Sequence, residues 1–194
     1  MKLKTLLVVL LSFAAMSVSA QKIKKGSLDF LKNESNVNIV FDFKGLTMDK
    51  DSEASYIKER MADEKTPAEA EEWKAKWEGE WRNKFMKTFV KYCNDEMKTL
   101  TVSQSSNETN YTIVAKIIDI DPGNFAGPFS NPSKLKADIK FFKTKDMNTE
   151  LLVIPMNKIY NPWSSTQPVE YLRIEMGFGE LGKTLGKILN KYTK

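Results

Sequence analysis

Hydrophobic and polar residues alternate in two segments of the chain, and each segment predicts a half-buried β-strand. The first is Val37–Phe43 and the second is Leu135–Phe142. A third segment, Tyr111–Ile120, carries apolar residues at both odd and even positions, which favours a strand at the centre of its sheet. A fourth apolar run, Leu151–Met156, contains Pro155 and is therefore expected at a sheet edge or a strand end.

Helix-start signals precede two segments in the first half of the chain. Asp51 or Ser52 can cap a short helix, because both side chains accept a hydrogen bond from a free backbone N–H. The run Thr66-Pro67-Ala68-Glu69 combines a cap, a proline suited to the first helical position and a capping box. It predicts a long helix that ends near Met97. A last helix is expected from about Val169 to Tyr192, at the end of the chain.

Apolar residues of the long helix recur every four positions, and the first three are tryptophans. Such a row is typical of packing, and the tryptophans can contact the apolar side of the short helix. A platform for sugar rings is the alternative interpretation. The row consists of Trp73, Trp77, Trp81, Phe85, Phe89, Cys93 and Met97, and its expected contacts are Tyr56, Ile57 and Met61.

The elements follow one another as strand, two helices, three strands and helix. Consecutive strands with short links favour an antiparallel arrangement. We therefore predict an α+β fold: a two-layer sandwich with a small, mostly antiparallel four-stranded sheet, and the long helix and the C-terminal helix on one face. Residues 21–194 are expected to form a single domain of ordinary size.

The first twenty residues have the features of a secretory signal peptide. Lys2 and Lys4 precede the apolar run 6–16, and a small-residue cleavage site follows at Val18-Ser19-Ala20. The apolar run is too short to span a membrane. We therefore expect cleavage before Gln21, no transmembrane segment in the mature chain, and a periplasmic or extracellular location.

The composition excludes several kinds of chemistry. The chain has no histidine and a single cysteine, Cys93, so histidine-dependent catalysis and an internal disulfide are both ruled out. We expect Cys93 to be buried on the long helix as a small apolar residue. Loss of residues 1–20 would remove two lysines and no acidic residue, lowering the formal net charge from +5 to +3. Acidic and basic residues interleave along most of the chain, unlike the clustered basic surfaces that bind nucleic acids.

Two short acidic clusters resemble the start of a calcium-binding loop. They lie at 49–53 and 119–121, and neither has the glycine or the final glutamate that such a loop needs. We therefore predict no metal site and interpret these residues as parts of solvated turns. No pair of carboxylates stands out as catalytic, although a carboxylate-based hydrolase stays open as an alternative.

The segment Gly177–Thr184 reads GFGELGKT and matches two nucleotide-binding patterns, G-x-G-x-x-G and G-x-x-x-x-G-K-[ST]. Both patterns need further βα units after them, and only ten residues follow Thr184. We predict instead a glycine-containing helix, in which Gly182 and Gly186 allow close packing. No nucleotide and no other cofactor is expected.

Several of these segments together resemble a group of small secreted or periplasmic proteins of Gram-negative bacteria whose function is uncharacterised. The resemblance is carried by the signal peptide, FDFKG, EEWKAKWEGEW, NYTIVAKIIDIDPGNFAGPF and GELGKTLGKIL, and it covers most of the mature chain. It implies an envelope α+β domain that works by binding partners. It implies no catalytic residues.

Two loops carry aromatic residues among prolines and glycines, a composition typical of irregular surface loops. Phe125 and Phe129 lie in the loop after the second strand, and Tyr160 and Trp163 lie in the loop after the fourth. In an antiparallel arrangement both loops leave the same end of the sheet. We predict a partner-binding surface there, with plugs over the sheet edge as the alternative.

The expected function is therefore that of an exported, non-enzymatic envelope protein that binds a protein, glycan or lipid component. The alternative is a small carboxylate-based hydrolase acting in the periplasm or outside the cell.

Overall fold

A computed structural model describes residues 27–104 and 108–193 of the chain. The predicted signal peptide, residues 1–20, lies outside the described residues. The described residues form one seven-stranded sheet. Its strands are β1 (Asn36–Asp42), β2 (Thr47–Met48), β3 (Asp51–Ser52), β4 (Thr101–Ser103), β5 (Tyr111–Asp121), β6 (Lys134–Lys143) and β7 (Asp146–Tyr160).

The helices begin where their start signals predict. Ser52 caps α1 (Glu53–Ala62) by accepting a hydrogen bond from the Ser55 backbone N–H. Thr66 caps the long helix in the same way, accepting from the N–H of Glu69. The long helix consists of α2 (Pro67–Ala75), a π-helical segment (Lys76–Trp81) and α3 (Arg82–Asp95), and the last helix is α4 (Glu170–Tyr192).

The predicted α+β class with a mostly antiparallel four-stranded sheet was wrong, because the sheet has seven strands and a mixed arrangement. The central strand β5 pairs parallel with β1 along its first half and parallel with β2 near its end. β4 adds parallel to the outer side of β1. The antiparallel pairs are β5 with β6, β6 with β7, and the short β2 with β3.

The physical reason for the parallel pairs is the long connection between β1 and β5. This connection contains α1, α2, the π-helical segment and α3. A helical crossover returns the chain to the end of the sheet from which it started. β1 and β5 therefore run in the same direction. The antiparallel expectation applied only to β5, β6 and β7, which short links join.

One face of the sheet forms the core, and its apolar residues lie opposite one another across the strands. Ile39 of β1 pairs with Ile113 of β5, and Ile113 pairs in turn with Phe141 of β6. The helices α3 and α4 cover this face: the ring of Phe89 on α3 meets that of Phe41 on β1 edge to face, with ring centroids 5.2 Å apart.

Two β-bulges bend the sheet at one end. Ile118 is an extra residue in β5 between the pairs Ile117–Ala137 and Asp119–Lys136. It shifts the alternation by one position, so that the later Ile120 again faces the core, where it is buried. In β7 the register also shifts next to Lys136, and Lys158 adopts a left-handed backbone conformation there, with φ 53°. Such bulges bend a strand and increase its twist.

The tryptophans of the long helix pack among other rings. Trp77 stacks on Trp73 with an interplanar angle of 4° and a centroid distance of 5.9 Å, and Tyr56 of α1 contacts both. Trp81 stacks on Tyr171 of α4 at 4.9 Å. These contacts confirm that the tryptophans pack on other rings of the protein. Trp73 and Trp81 stay partly exposed at the surface.

The π-helical segment keeps the row of apolar residues on the core. In an α-helix, every fourth residue advances about 40° beyond a full turn, so a long row rotates away from the surface it covers. A π turn contains one more residue than an α turn, so it rotates the row of apolar residues back toward the core. Beyond it, Phe85, Phe89 and Cys93 are all buried.

The segment Gly177–Thr184 lies wholly within α4, as predicted for a structural helix. A side chain at Gly182 would overlap the backbone carbonyl of Phe89, and one at Gly186 would overlap that of Cys93. The helices α3 and α4 therefore run parallel, in backbone contact. Gly177, on another side of α4, leaves room for Leu135 of the sheet.

Replacing Gly182 with alanine should lower the free energy of unfolding by about 2 kcal/mol, because the rigid backbone of α3 must move to admit a methyl group. Gly79→Ala is the matched control. Gly79 lies in the π-helical segment with nothing near its Cβ position, so alanine there should add up to about 1 kcal/mol of stability. Urea unfolding measures both values. Equal effects of the two substitutions would refute the contact.

Cys93 should resist thiol reagents until the protein unfolds. The residue is fully buried, which confirms the prediction, and burial raises the pKa of its thiol to about 12. The unfolded thiol ionises near pH 9, so the folded state binds the extra proton between these values, and stability should fall as the pH rises through this window. Relative to Cys93→Ala, the free energy of unfolding of the wild type should fall by about 1.4 kcal/mol per pH unit between pH 9 and about pH 12.

Labelling with a chromogenic disulfide reagent at pH 8, with and without urea, measures the first effect. Urea titrations of both proteins at pH 8, 9 and 10 measure the second. Fast, complete labelling of the native protein would show that Cys93 is accessible.

Candidate functional site

The two aromatic loops leave the same end of the sheet, as predicted. Asp121 at the end of β5 pairs with Lys134 at the start of β6. Lys134 pairs on its other side with Tyr160 at the end of β7. The segments 122–133 and 159–169 therefore lie at the same end of the sheet, and together we call them the aromatic end. The second begins with the last two residues of β7, so Tyr160 ends the strand and Trp163 lies in the loop proper.

All four aromatic residues predicted for a partner surface are exposed. The exposed fractions are 51% for Phe125, 80% for Phe129, 48% for Tyr160 and 73% for Trp163. Phe129 ends a short 3-10 turn, and Trp163 lies in another that begins at Pro162. These values argue against the alternative in which the rings plug the edge of the sheet.

The aromatic end contains no charged residue, although 28% of the whole chain is charged. Neither 122–133 nor 159–169 includes an aspartate, glutamate, lysine or arginine. At the boundary, Asp121 and Lys134 form an ion pair of 2.8 Å, and Lys158 is exposed just before the second loop. Large exposed rings thus lie on a surface that is neutral over two loops.

A buried arginine at the start of α4 holds the two loops together. Arg173 is only 5% exposed. Its guanidinium donates to the carbonyl of Pro122 at 3.1 Å in the first loop. It donates to those of Gln167 and Pro168 at 3.1 and 3.0 Å in the second. Hydrogen bonds from a charged donor are stronger than neutral ones, so Arg173 fixes the loops relative to α4.

A direct hydrogen bond also joins the two loops. The backbone N–H of Ser133 donates to the hydroxyl of Ser164 at 3.1 Å, and that hydroxyl donates to the carbonyl of Asn161 at 2.8 Å. Ser133 and Ser164 are both fully buried. The base of the aromatic end is therefore a packed, hydrogen-bonded structure.

Most polar side chains of the aromatic end also bond within it. Asn124 accepts from both the backbone and the side chain of Asn131, and Asn161 accepts from the N–H of Trp163. Four further side chains form hydrogen bonds with backbone groups of their own loop. They are Ser130, Ser165, Thr166 and Gln167.

Of the acidic residues predicted to lie in solvated turns, Asp49 does lie in a turn, whereas Asp119 and Asp121 belong to β5. Asp119 accepts from the hydroxyl of Thr47 and, at 3.3 Å, from the N–H of Lys50. Asp49 and Lys50 form a turn with positive φ angles of 47° and 82°. Within 27–104 and 108–193, no three histidine, cysteine, aspartate or glutamate residues come together as metal ligands would.

A shallow groove of about 250 Å³ beside the long helix is a second place to consider. It is lined by Glu64, Glu69, Glu72, Trp73, Lys76 and Trp81. A hydrogen bond from Lys76 holds the pKa of Glu72 below its usual value, whereas a general acid needs a raised pKa. The groove therefore offers no support for carboxylate catalysis.

Sequence reasoning located the four rings but missed Arg173. The signal was present in the spacing of α4: positions 173, 177, 181, 185 and 189 recur every four residues, and all are buried. An arginine on the apolar stripe of a helix must find several acceptors. The residues that supply them follow β5 and β7, and only the fold brings them together.

Comparisons with protein-family models, with curated proteins and with solved structures found no match. The resemblance to secreted or periplasmic proteins therefore stays a prediction.

Replacing Arg173 with methionine should lower the free energy of unfolding by at least about 3 kcal/mol, because it leaves several loop carbonyls without a donor. Lys91→Met is the control, since the Lys91 side chain is 67% exposed and its ion pair with Asp95 lies at the surface. Urea unfolding measures the loss.

Chymotrypsin provides a second measurement, because it cuts after Phe and Trp. In Arg173→Met the loops should be cleaved at Phe125, Phe129 or Trp163 faster than in the wild type, in conditions where both proteins are folded. Unchanged stability and unchanged cleavage would show that Arg173 does not hold the loops.

Proposed function

We propose that this protein is an exported, non-enzymatic binding module of the cell envelope, and that the aromatic end is its contact surface. The observation that carries the proposal is the exposure of Phe125, Phe129, Tyr160 and Trp163 on two adjoining loops without charge. Exposed aromatic clusters of this kind are typical of interaction surfaces, in which aromatic residues contribute much of the binding energy.

The rigidity of the two loops supports a binding role. Arg173 and the bond between Ser133 and Ser164 hold the loops in place before any partner arrives. Association is weakened by the entropy lost when flexible loops become ordered. Loops that are already ordered lose less, so the rings are presented in a form ready to bind.

The alternative of a carboxylate-based hydrolase gains no observation in its favour. Glu72 of the groove is paired with Lys76, and Glu69 accepts from the hydroxyl of Thr66 at 3.0 Å. Asp121 at the aromatic end is paired with Lys134. These three carboxylates have structural partners.

The test is retention of the mature chain, residues 21–194, on the envelope fraction of the producing organism. Phe129→Ser combined with Trp163→Ser should reduce the retained fraction at least about tenfold, because two exposed rings are lost from the contact. The melting temperature should stay within about 2 °C, since neither ring belongs to the core.

Met147→Ser is the matched control. Met147 is 43% exposed and lies in the β6–β7 hairpin, at the opposite end of β6 from Lys134. Its substitution should leave retention unchanged. Full retention of the double variant, or an equal loss in both variants, would overturn the proposal.

A further inference from the structure

The aromatic end offers a partner few free hydrogen-bonding groups. Its hydroxyls at Ser130, Ser165 and Thr166 donate to carbonyls of their own loops. Backbone carbonyls at its base are bound by Arg173, and Asn124 and Asn131 exchange backbone hydrogen bonds across the first loop. The most exposed large apolar side chains of these loops are aromatic.

This distribution discriminates between classes of partner. A glycan is covered with hydroxyls and is held by side chains that hydrogen-bond to it. A protein partner forms about one hydrogen bond per 100–200 Å² of interface. The acyl region of a bilayer forms none, and protein groups that enter it must already be bonded internally. Of the three partners, the bilayer surface fits the aromatic end best, because the loop hydroxyls of Ser130, Ser165 and Thr166 are bonded internally and the buried Ser133 stays at the base.

The charges lead to the same partner. Moving a charged side chain into the bilayer is costly, and the loops 122–133 and 159–169 have none. Just outside them, Lys158 and Lys136 are exposed, while Asp121 is neutralised by Lys134. On the neighbouring turn, Asp49, Lys50 and Asp51 are all exposed, and the half-buried Asp119 pairs with Lys136 across β5 and β6. The four lysines are thus matched by four aspartates. The surroundings are therefore close to neutral.

From these observations, and resting on the proposed function, we infer that the partner of the aromatic end is the surface of a lipid bilayer. Phe125, Phe129, Tyr160 and Trp163 enter the interfacial region, where aromatic rings are favoured. The base of the loops stays at the level of the headgroups. The insertion is shallow, and no helix among the described residues has the length and hydropathy to cross a bilayer.

The test uses residues 21–194 and vesicles of phosphatidylcholine, with no anionic lipid. The protein should sediment with the vesicles, and 0.5 M NaCl should change the bound fraction by less than twofold, because the inserted surface has no charge. Phe129→Ser and Trp163→Ser should each weaken partitioning about tenfold. Met147→Ser should leave it unchanged.

Quenching by lipids brominated on their acyl chains locates the inserted residue. Trp163 is one of four tryptophans, and the other three lie on the long helix. Brominated vesicles should quench a component of the wild-type fluorescence. In Trp163→Phe, which keeps an apolar ring, binding should persist and this component should be absent.

The outcomes distinguish a failure of the lipid inference from a failure of the proposed function on which it rests. Absence of vesicle binding, together with envelope retention that depends on Phe129 and Trp163, would overturn the lipid inference and assign a protein or glycan to the same surface. Vesicle binding that survives loss of both rings would also overturn it. Envelope retention that does not depend on the rings would overturn the proposed function itself.

Discussion

The backbone contact between α4 and α3 is the constraint on which the rest of the structure depends. Gly182 and Gly186 bring α4 against the carbonyls of Phe89 and Cys93, and Gly177 brings it against Leu135 of the sheet. A helix held this closely on two sides has little freedom to shift or rotate. Arg173 lies one turn before Gly177, so its position is fixed by the same contacts. The guanidinium then fixes both loops through its hydrogen bonds to their carbonyls.

Much of the fold was predictable, because in long segments the hydrophobic pattern shows which side of a strand or helix is buried. Strands β1, β5 and β6 and both capped helices were found within a few residues, and Pro155 correctly indicated an edge strand, since β7 pairs only with β6. The short β2, β3 and β4 were missed. Each has two or three residues, too few for any periodicity. They form because β4 pairs with the open edge of β1, β2 pairs with β5 beyond the end of β1, and β3 pairs with β2. The parallel pairing depends on the path of the helical connection, which residue patterns do not encode.

The candidate site, like the fold, could be predicted from the sequence only in part. Composition alone located Phe125, Phe129, Tyr160 and Trp163, because proline and glycine keep a loop out of regular structure and at the surface. The bulge at Ile118, the shift at Lys136 and the buried Arg173 were not foreseen. They are long-range features: a bulge is defined by its partner strand, and the acceptors of Arg173 come from two loops about fifty and about five residues away along the chain.

Tryptophan has two different roles in this protein, and the residues around each ring determine its role. Trp77 and Trp81 lie on a helix at four-residue spacing, and their faces are covered by Trp73 and Tyr171. Their burial stabilises the fold. Trp163 follows a proline in a short turn that has its own hydrogen bonds, and its ring is mostly exposed. A ring that adds so little to the core, on loops held by a buried arginine, supports the proposal that this surface contacts a partner. The rigidity of the helical layer is therefore what allows the loops to expose aromatic surface without collapsing onto the sheet.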